Sequence, residues 1–376
     1  MKTLRIGIML AFAASLASCS TKNTEMKTVV ESDGSCYREF QALVDSAFMV
    51  QSTSQTTEFF PVELDSTWEI SWKVDHGEPS TTYPLTPSQF QKLIGSNRKI
   101  EATVRKHFNH VSDMTTHFKW KDSNAWSELN VTYSLEKKFR WFYTYYTFCE
   151  MYPRIETNFD VELDSFMTKD ESNFWLKGSP NLVAGMNGVE IREFTGQLED
   201  KFTQWYFLNS WHIVYQHILS NYDSIESPPV DKAAFASFQD SIYNTLVKGN
   251  EQIKMQDALN KFYRTTAFSD LWKNKNSLMT RFENQLENTS FERFMFHSVT
   301  YNLVMPGKVI RAENGQLSDN IITWNVTAYR MLNTPYTLKA ESRKANIWAF
   351  ILSGLVVALA IGSLWYNPKK KSTTPN

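Results

Sequence analysis

The chain has 376 residues, with 39 basic and 40 acidic side chains and a formal net charge of −1. Aromatic residues make up 14% of the chain and charged residues 21%, which excludes a disordered chain, a coiled coil and a collagen-like repeat. The near-zero net charge lacks the excess of positive charge that binds phosphate backbones, so we expect no nucleic-acid partner.

The first 18 residues are typical of a secretory signal peptide. Lys2 and Arg5 supply a positive start, and an apolar run from residue 6 to residue 14 follows them. This run is too short to span a bilayer, which needs about 20 apolar residues. We therefore expect residues 1–18 to be removed after export.

Cys19 stands directly after this segment. The run Leu16-Ala17-Ser18-Cys19 resembles the lipobox of bacterial lipoproteins, in which the signal is removed just before a cysteine that then carries lipid. The resemblance implies lipidation of Cys19, with residues 19–35 as a polar, flexible tether. The alternative is an ordinary signal peptide, as in a eukaryotic type I membrane protein, with glycosylation at the Asn-x-Ser/Thr triplets that begin at residues 130, 288 and 325.

Residues 36–160 are predicted to be rich in β-strands. Residues 67–74 alternate between apolar side chains, beginning with Trp68, and polar ones, which is the period of a half-buried strand. Residues 129–135 alternate in the same way. Residues 139–146 are aromatic on both faces, which is typical of a strand that is central in its sheet or covered on both sides.

In residues 161–289 the apolar side chains recur with the period of a helix instead of that of a strand. From Gly188 to Tyr222, apolar side chains recur at three- and four-residue spacings, which predicts one long amphipathic helix. Pro228-Pro229 ends this helix, and further helices are predicted around residues 235–246, 259–263 and 271–286. The pattern indicates a helical segment between two β-rich parts.

Strands are predicted again in residues 290–344. Val299–Met305 alternates, Pro306-Gly307 marks a turn, and Ile322–Ala328 alternates after a loop. Together the patterns predict an α+β fold: an antiparallel sheet built from the N- and C-terminal ectodomain segments, with a helical insertion and one C-terminal transmembrane helix.

One stretch resembles a known group of proteins. Met305-Pro306-Gly307-Lys308-Val309, then Asn314-Gly315, then Ile322-Thr323-Trp324-Asn325-Val326 lead into an apolar terminal segment. This arrangement resembles the end of a broad group of uncharacterised bacterial membrane-anchored lipoproteins. The resemblance covers roughly a fifth of the ectodomain and implies surface exposure and a β hairpin. It implies no activity.

The apolar segment at residues 345–367 predicts a transmembrane helix. No residue between Lys344 and Lys369 is charged. Residues 347–366 would span about 30 Å as a helix, the thickness of the hydrocarbon core. Trp348 stands near one edge and Trp365 near the other, where aromatic belts form. The three lysines from residue 369 predict that residues 368–376 are a cytoplasmic tail.

The two ends predict a location at the bacterial cytoplasmic (inner) membrane, with the ectodomain periplasmic or extracellular. Residues 19–346 hold 34 basic and 40 acidic side chains, so the overall charge does not favour binding of anionic lipid. Because lipid and helix would lie in one membrane, we expect the first and last folded residues both to lie near the bilayer.

The best candidate for a metal site is His107-x-x-His110 with Asp113. On a helix these side chains would share a face, whereas on a strand His107 and His110 would point to opposite faces. The flanking residues have the alternation of a strand, so we expect no metal here. Glycine-rich phosphate loops and zinc-protease motifs do not occur in the sequence, and we expect no catalytic site and no cofactor.

Cys36 and Cys149 are the thiols that remain once Cys19 carries lipid. In an oxidising compartment an even pair favours a disulfide, which could stabilise the fold by about 4–5 kcal/mol through loop closure. The alternative is two separate buried thiols.

The leading functional hypothesis is a non-enzymatic envelope protein that binds another protein or arranges a membrane complex. One alternative is an envelope hydrolase, which a concave pocket joining distant Asp, Glu or His residues would favour. Another is a glycan- or lipid-binding protein, which a contiguous exposed aromatic patch would favour. Aromatic residues that break the periodic patterns are the candidates for such a patch: Phe142, Tyr146, Trp211 and Trp272.

Overall fold

The computed structural model describes residues 22–51, 59–93, 99–121, 125–157, 159–248, 253–286 and 297–365. The predicted signal peptide, Cys19 and the predicted cytoplasmic tail lie outside these residues. The prediction of an α+β protein with mostly antiparallel strands and an apolar C-terminal helix is confirmed.

The strands of the described part of the chain form a seven-stranded and a four-stranded sheet. The seven-stranded sheet has the order β3-β4-β2-β1-β7-β10-β9, and the four-stranded sheet has the order β5-β6-β11-β8. We call them the first and second sheet. The strands are β1 (Lys22–Val30), β2 (Cys36–Val44), β3 (Trp68–Val74), β4 (Ile100–Phe108), β5 (Thr132–Phe139), β6 (Tyr143–Tyr152), β7 (His297–Val304), β8 (Lys308–Ala312), β9 (Gln316–Ser318), β10 (Ile321–Thr327) and β11 (Tyr336–Ala345).

The two sheets pack face to face as a sandwich, where the sequence predicted one sheet. The alternating inner side chains of both sheets, such as Phe40 of β2 and Phe148 of β6, are buried in one continuous core. N- and C-terminal segments meet through β1 and β7, which pair in parallel, whereas the neighbouring strand pairs are antiparallel.

Pro306-Gly307 carries the chain from one sheet to the other instead of closing a hairpin. The strand before it, β7, belongs to the first sheet, and the strand after it, β8, pairs with β11 of the second. Gly307 has a φ of +74°, and a Cβ there would collide with the carbonyl oxygen of Arg343. Glycine suits this position because it tolerates a positive φ and because it has no Cβ to collide with Arg343.

The helices lie mainly between β6 and β7, in the segment that the sequence predicted to be helical. They are α1 (Ser46–Met49), α2 (Pro87–Leu93), α3 (Met114–His117), α4 (Lys169–Lys177), α5 (Gly188–Ser220), α6 (Lys232–Ser237), α7 (Gln239–Ile242), α8 (Met255–Tyr263), α9 (Leu278–Leu286) and α10 (Ile347–Trp365). Single helical turns of other types occur at Val111–Asp113, Ala125–Glu128, Leu163–Ser165, Tyr222–Ser224, Tyr243–Val247, Ser269–Trp272 and Ala328–Met331.

Helix α5 connects the sandwich to a second hydrophobic core. It has 33 residues and is therefore about 50 Å long. Asn187 caps its first turn and Glu190 completes the capping box, as the sequence at this position favours. Its first half, with Phe202 and Trp205, packs into the sandwich core. Its second half, with Tyr215 and Ile218, packs with α6 to α9 in a separate core, which we call the helical lobe (residues 211–286).

The sandwich has two distinct ends. Helix α10 leaves from one end, where β11 finishes at Ala345 and where the β1–β2 turn at Ser32 contacts Lys344. We call this the helix end. At the opposite end β6 finishes at Tyr152, paired with Tyr336, and the first half of α5 packs there against Tyr329. We call this the lobe end.

The prediction that residues 19–35 form a flexible tether is wrong over most of that range. Lys22–Val30 is strand β1, hydrogen-bonded between β2 and β7. Lys22 lies at the lobe end and Val30 at the helix end, about 26 Å apart along the strand. The first described residue is therefore remote from α10, and the expectation that both ends of the ectodomain lie together is wrong.

Candidate functional site

The three residues of the weak metal-site candidate do not converge. His107 is exposed on the outer face of β4, with its Nε2 3.5 Å from a carboxylate oxygen of Glu69. Asp113 accepts a hydrogen bond of 2.9 Å from the backbone N–H of His110, which uses the carboxylate to close a tight turn. Within the described ranges there is no group of three or more His, Cys, Asp or Glu side chains that could hold a metal ion.

A polar cleft of about 490 Å³ lies beside these residues. It joins side chains from distant segments, the feature that would favour a hydrolase. One carboxylate in it, Asp65, is already engaged by Lys106 at 3.0 Å and by Thr67. The Thr67 hydrogen bonds and the Lys106 ammonium hold the pKa of Asp65 below its ordinary value, so it is a poor general acid. The cleft is lined by Glu63, Asp65, Thr67, Lys106, His107, Phe108, Asn109, Asp113, Thr116, His117 and Lys119.

Of the two alternatives for Cys36 and Cys149, the disulfide is not formed, and both thiols are free. Cys36 is buried in the core on β2, whereas Cys149 lies on the outer face of β6, between the inward-facing Phe148 and Glu150. The intervening sheet therefore separates the two sulfur atoms. Burial raises the pKa of the Cys36 thiol to about 12, so this thiol stays protonated and unreactive at neutral pH.

The sandwich core contains a buried ion pair that the sequence patterns did not predict. Arg38 of β2 and Glu150 of β6 are both fully buried, and the Nη2 atom of Arg38 lies 2.8 Å from a carboxylate oxygen of Glu150. Arg38 also donates to the hydroxyls of Thr28, Tyr133 and Tyr301, at 3.0–3.2 Å.

Aromatic rings enclose this pair and complete its hydrogen bonding. The Tyr152 hydroxyl donates to the second carboxylate oxygen of Glu150 at 2.6 Å. The guanidinium carbon of Arg38 lies 4.7 Å from the centre of the Phe118 ring. Burial raises the pKa of the Tyr133, Tyr152 and Tyr301 hydroxyls, which therefore remain neutral donors and acceptors.

The ion pair joins the two sheets and does not meet solvent, so we assign it a structural role. An alternation pattern could have revealed it. Arg38 falls between Cys36 and Phe40 on the apolar face of β2, and Glu150 falls between Phe148 and Tyr152 on the apolar face of β6. Two opposite charges on inner faces predict a buried pair.

Helix α10 extends from the helix end with nearly all of its apolar side chains exposed. It has 19 residues and a mean hydropathy of 2.3, and it is the candidate membrane span among the described residues. Its length is about 28 Å, close to the thickness of a hydrocarbon core. An isolated surface helix in water would not expose such a surface.

Asn346 fixes the start of α10 to the sandwich. Its backbone N–H donates to the carbonyl oxygen of Phe142, and its side-chain amide donates to the carbonyl oxygens of Arg140 and Trp141 at 2.8 and 3.1 Å. Its side-chain oxygen accepts from the hydroxyl of Thr144 at 2.9 Å. One residue thus binds the whole β5–β6 turn, and the helix is not joined to the sandwich by a free linker.

Rings of the β5–β6 turn continue this contact along the helix. Phe139 stacks on Trp348, and Phe142 lies 4.8 Å from Phe350 between ring centres. The indole N–H of Trp141 donates to the hydroxyl of Ser353 at 2.9 Å. The exposed aromatic Phe142 is thus part of a contiguous patch. The other aromatics that break the sequence patterns lie elsewhere: Tyr146 and Trp211 are buried, and Trp272 is half-buried.

Comparisons with protein-family models, with curated proteins and with solved structures found no significant match to this chain.

Proposed function

We propose that this is a membrane-anchored protein of the bacterial cell envelope that holds its helical lobe at a fixed height above the membrane, where the lobe binds a protein partner. The ectodomain lies on the outer face of the cytoplasmic membrane and acts as an assembly factor rather than as an enzyme. The observation that carries the proposal is the rigid junction at Asn346, from which the apolar helix leaves the sandwich at the end opposite to the lobe.

A rigid junction favours positioning over free diffusion. A tethered enzyme that samples soluble substrates gains nothing from a fixed orientation, whereas a protein that presents a surface to a membrane complex does. The two strands of the second sheet that run between the two ends have ten residues each, which places the lobe end of the sandwich about 30 Å from the start of α10.

Lipidation of Cys19 remains part of the proposal, but Cys19 is no longer expected on a flexible tether, because Lys22–Val30 forms strand β1. The three residues from Cys19 to Lys22 can extend about 10 Å, which is shorter than the roughly 26 Å length of β1. A lipid on Cys19 therefore reaches the membrane of α10 only when the first residues of β1, where Lys22 pairs with His297, separate from the sheet. We expect α10 to be the anchor that determines the orientation.

The proposal is tested by cross-linking the full-length protein in membranes and mapping the cross-links by mass spectrometry. We expect one recurrent, near-stoichiometric partner whose cross-links fall in the lobe. Phe238 is an exposed apolar side chain of the lobe, and Leu317 is one on the edge strand of the sandwich. Phe238→Asp is expected to reduce capture several-fold, because a charge in an interface core is costly to bury, and Leu317→Asp is the matched control. A folded monomer that captures nothing would contradict the proposal.

A further inference from the structure

The β5–β6 turn exposes an unusual amount of aromatic surface. Phe139, Trp141 and Phe142 remain 58%, 45% and 41% exposed, although each already contacts α10. Their surface is continuous with Trp348 and the exposed apolar face of the helix. A patch of this kind marks a binding surface, and its continuity with α10 indicates which medium covers it.

The position of Trp141 sets the depth of the turn. Its indole bonds to Ser353, which is six residues into α10 and therefore about 9 Å along the helix from Ile347. If α10 spans a membrane with its first apolar residue at the boundary, Trp141 lies at or below the level of the lipid headgroups. Indole rings favour this level because they are apolar with one polar N–H.

The carbonyl oxygens of the turn are already hydrogen-bonded within the protein. The carbonyl oxygens of Arg140, Trp141 and Phe142 all accept hydrogen bonds from Asn346, and the N–H of Arg140 donates to the carbonyl of Tyr143 at 2.8 Å. Backbone groups that enter a bilayer must be satisfied internally, because each unsatisfied group is costly there.

Basic side chains surround the aromatic turn. They belong to the ends of β5 and β11, the turn itself and the start of β8: Lys137, Lys138, Arg140, Arg343, Lys344 and Lys308. Of these, Lys138 pairs with Glu136 at 3.2 Å, and Lys137 donates to the Ser32 carbonyl. Lys and Arg next to a membrane attract lipid phosphates over a short distance, so this local charge matters more than the acidic total of the ectodomain.

We propose that the β5–β6 turn, residues 139–142, is a second membrane-binding element that inserts into the interfacial layer of the bilayer beside α10, with the basic side chains on lipid phosphates. The occupant of the patch is lipid. This inference rests on the proposed membrane span of α10. This second contact with the bilayer restricts tilting of the sandwich about α10.

The test uses the full-length protein in nanodiscs of phosphatidylcholine and phosphatidylglycerol, labelled at single introduced cysteines with an environment-sensitive fluorophore. Cys149→Ser removes the half-buried native thiol, and the parent without an introduced cysteine serves as the blank. The introduced sites are Phe142→Cys in the turn, Ser353→Cys in α10 and Phe238→Cys in the lobe. Phe238 is the matched control for Phe142, because the two phenylalanines are 38% and 41% exposed.

Quenching by spin-labelled lipids is the readout. We expect the emission at Phe142→Cys to fall at least about twofold, mostly with labels near the headgroups, because interfacial elements enter about 5–10 Å. The emission at Ser353→Cys falls as well, and that at Phe238→Cys does not change. Quenching at Ser353→Cys without quenching at Phe142→Cys overturns the inference and leaves the span intact. No quenching at Ser353→Cys overturns the proposed span itself, and the inference with it.

Discussion

Replacing Arg38 with methionine is expected to lower the free energy of unfolding of the sandwich by about 3–5 kcal/mol, because it leaves the Glu150 carboxylate buried without its partner. Glu150→Leu is expected to cost a similar amount, since it leaves the guanidinium unpaired. In the double variant Arg38→Met/Glu150→Leu, no charge is left buried without a partner. We expect this variant to recover most of the lost free energy of unfolding.

The measurement is urea unfolding followed by far-UV circular dichroism and tryptophan fluorescence. The matched control is Lys73→Met, which breaks the surface pair with Glu101 at 3.0 Å and is expected to cost less than about 1 kcal/mol. If Arg38→Met were no more destabilising than Lys73→Met, the ion pair would not join the sheets as described.

Placing two arginines in the middle of α10 is expected to release the protein from the membrane. Leu355 and Leu359 are both exposed on the helix, and each arginine at a helix centre costs about 2.5–3.5 kcal/mol on insertion scales. The double variant Leu355→Arg/Leu359→Arg is therefore expected to move from the membrane pellet to the soluble fraction after an alkaline wash.

The comparison is made in a protein whose residues 1–19 are replaced by a cleavable secretory signal, so that no lipid on Cys19 holds the protein in the membrane. Leu355→Ala/Leu359→Ala is the control and is expected to stay in the pellet, since alanine remains apolar. Release of the parent protein by the same wash would show that α10 is not a sufficient anchor.

Elements whose apolar residues recur at one regular spacing could be predicted from the sequence. The alternation at residues 67–74 corresponds to β3, and the spacing from Gly188 corresponds to α5, which ends at Ser220. Strand β3 buries Trp68 and Trp72 on one face, and each half of α5 buries the apolar residues that face its own core, so the local spacing of apolar residues follows the structure.

The β5–β6 turn was mispredicted for a physical reason. The aromatic run at residues 139–146 indicated a strand that is central in its sheet or covered on both sides. Strand β6 does lie between β5 and β11, but it begins only at Tyr143. Phe139 is the last residue of β5, and together with residues 140–142 it forms the exposed aromatic surface beside α10. Hydrophobicity in a sequence does not distinguish burial in protein from exposure to a membrane, and exposure to a membrane is what we propose for this turn.

Relations between remote segments could not be predicted from local patterns. Strand β1 has no clear alternation in its first residues and is stabilised by pairing with β2 and β7 on both sides, so it resembled a polar tether. The division into two sheets depends on the crossing at Gly307, which a turn signal alone does not distinguish from a hairpin. For the same reason, the number of cysteines could not show that Cys36 and Cys149 lie on opposite sides of a sheet.

The central claim is that the sandwich stands on the membrane through α10 and holds the lobe away from it. The most direct measurement is energy transfer from a donor on the protein to acceptor lipids in nanodiscs, with the donor at Asp33→Cys near the helix end or at Lys261→Cys in the lobe. We predict efficient transfer from Asp33→Cys and weak transfer from Lys261→Cys, because about 30 Å of β-sandwich separates the two ends. Equal transfer from both sites, or stronger transfer from the lobe, would contradict the account.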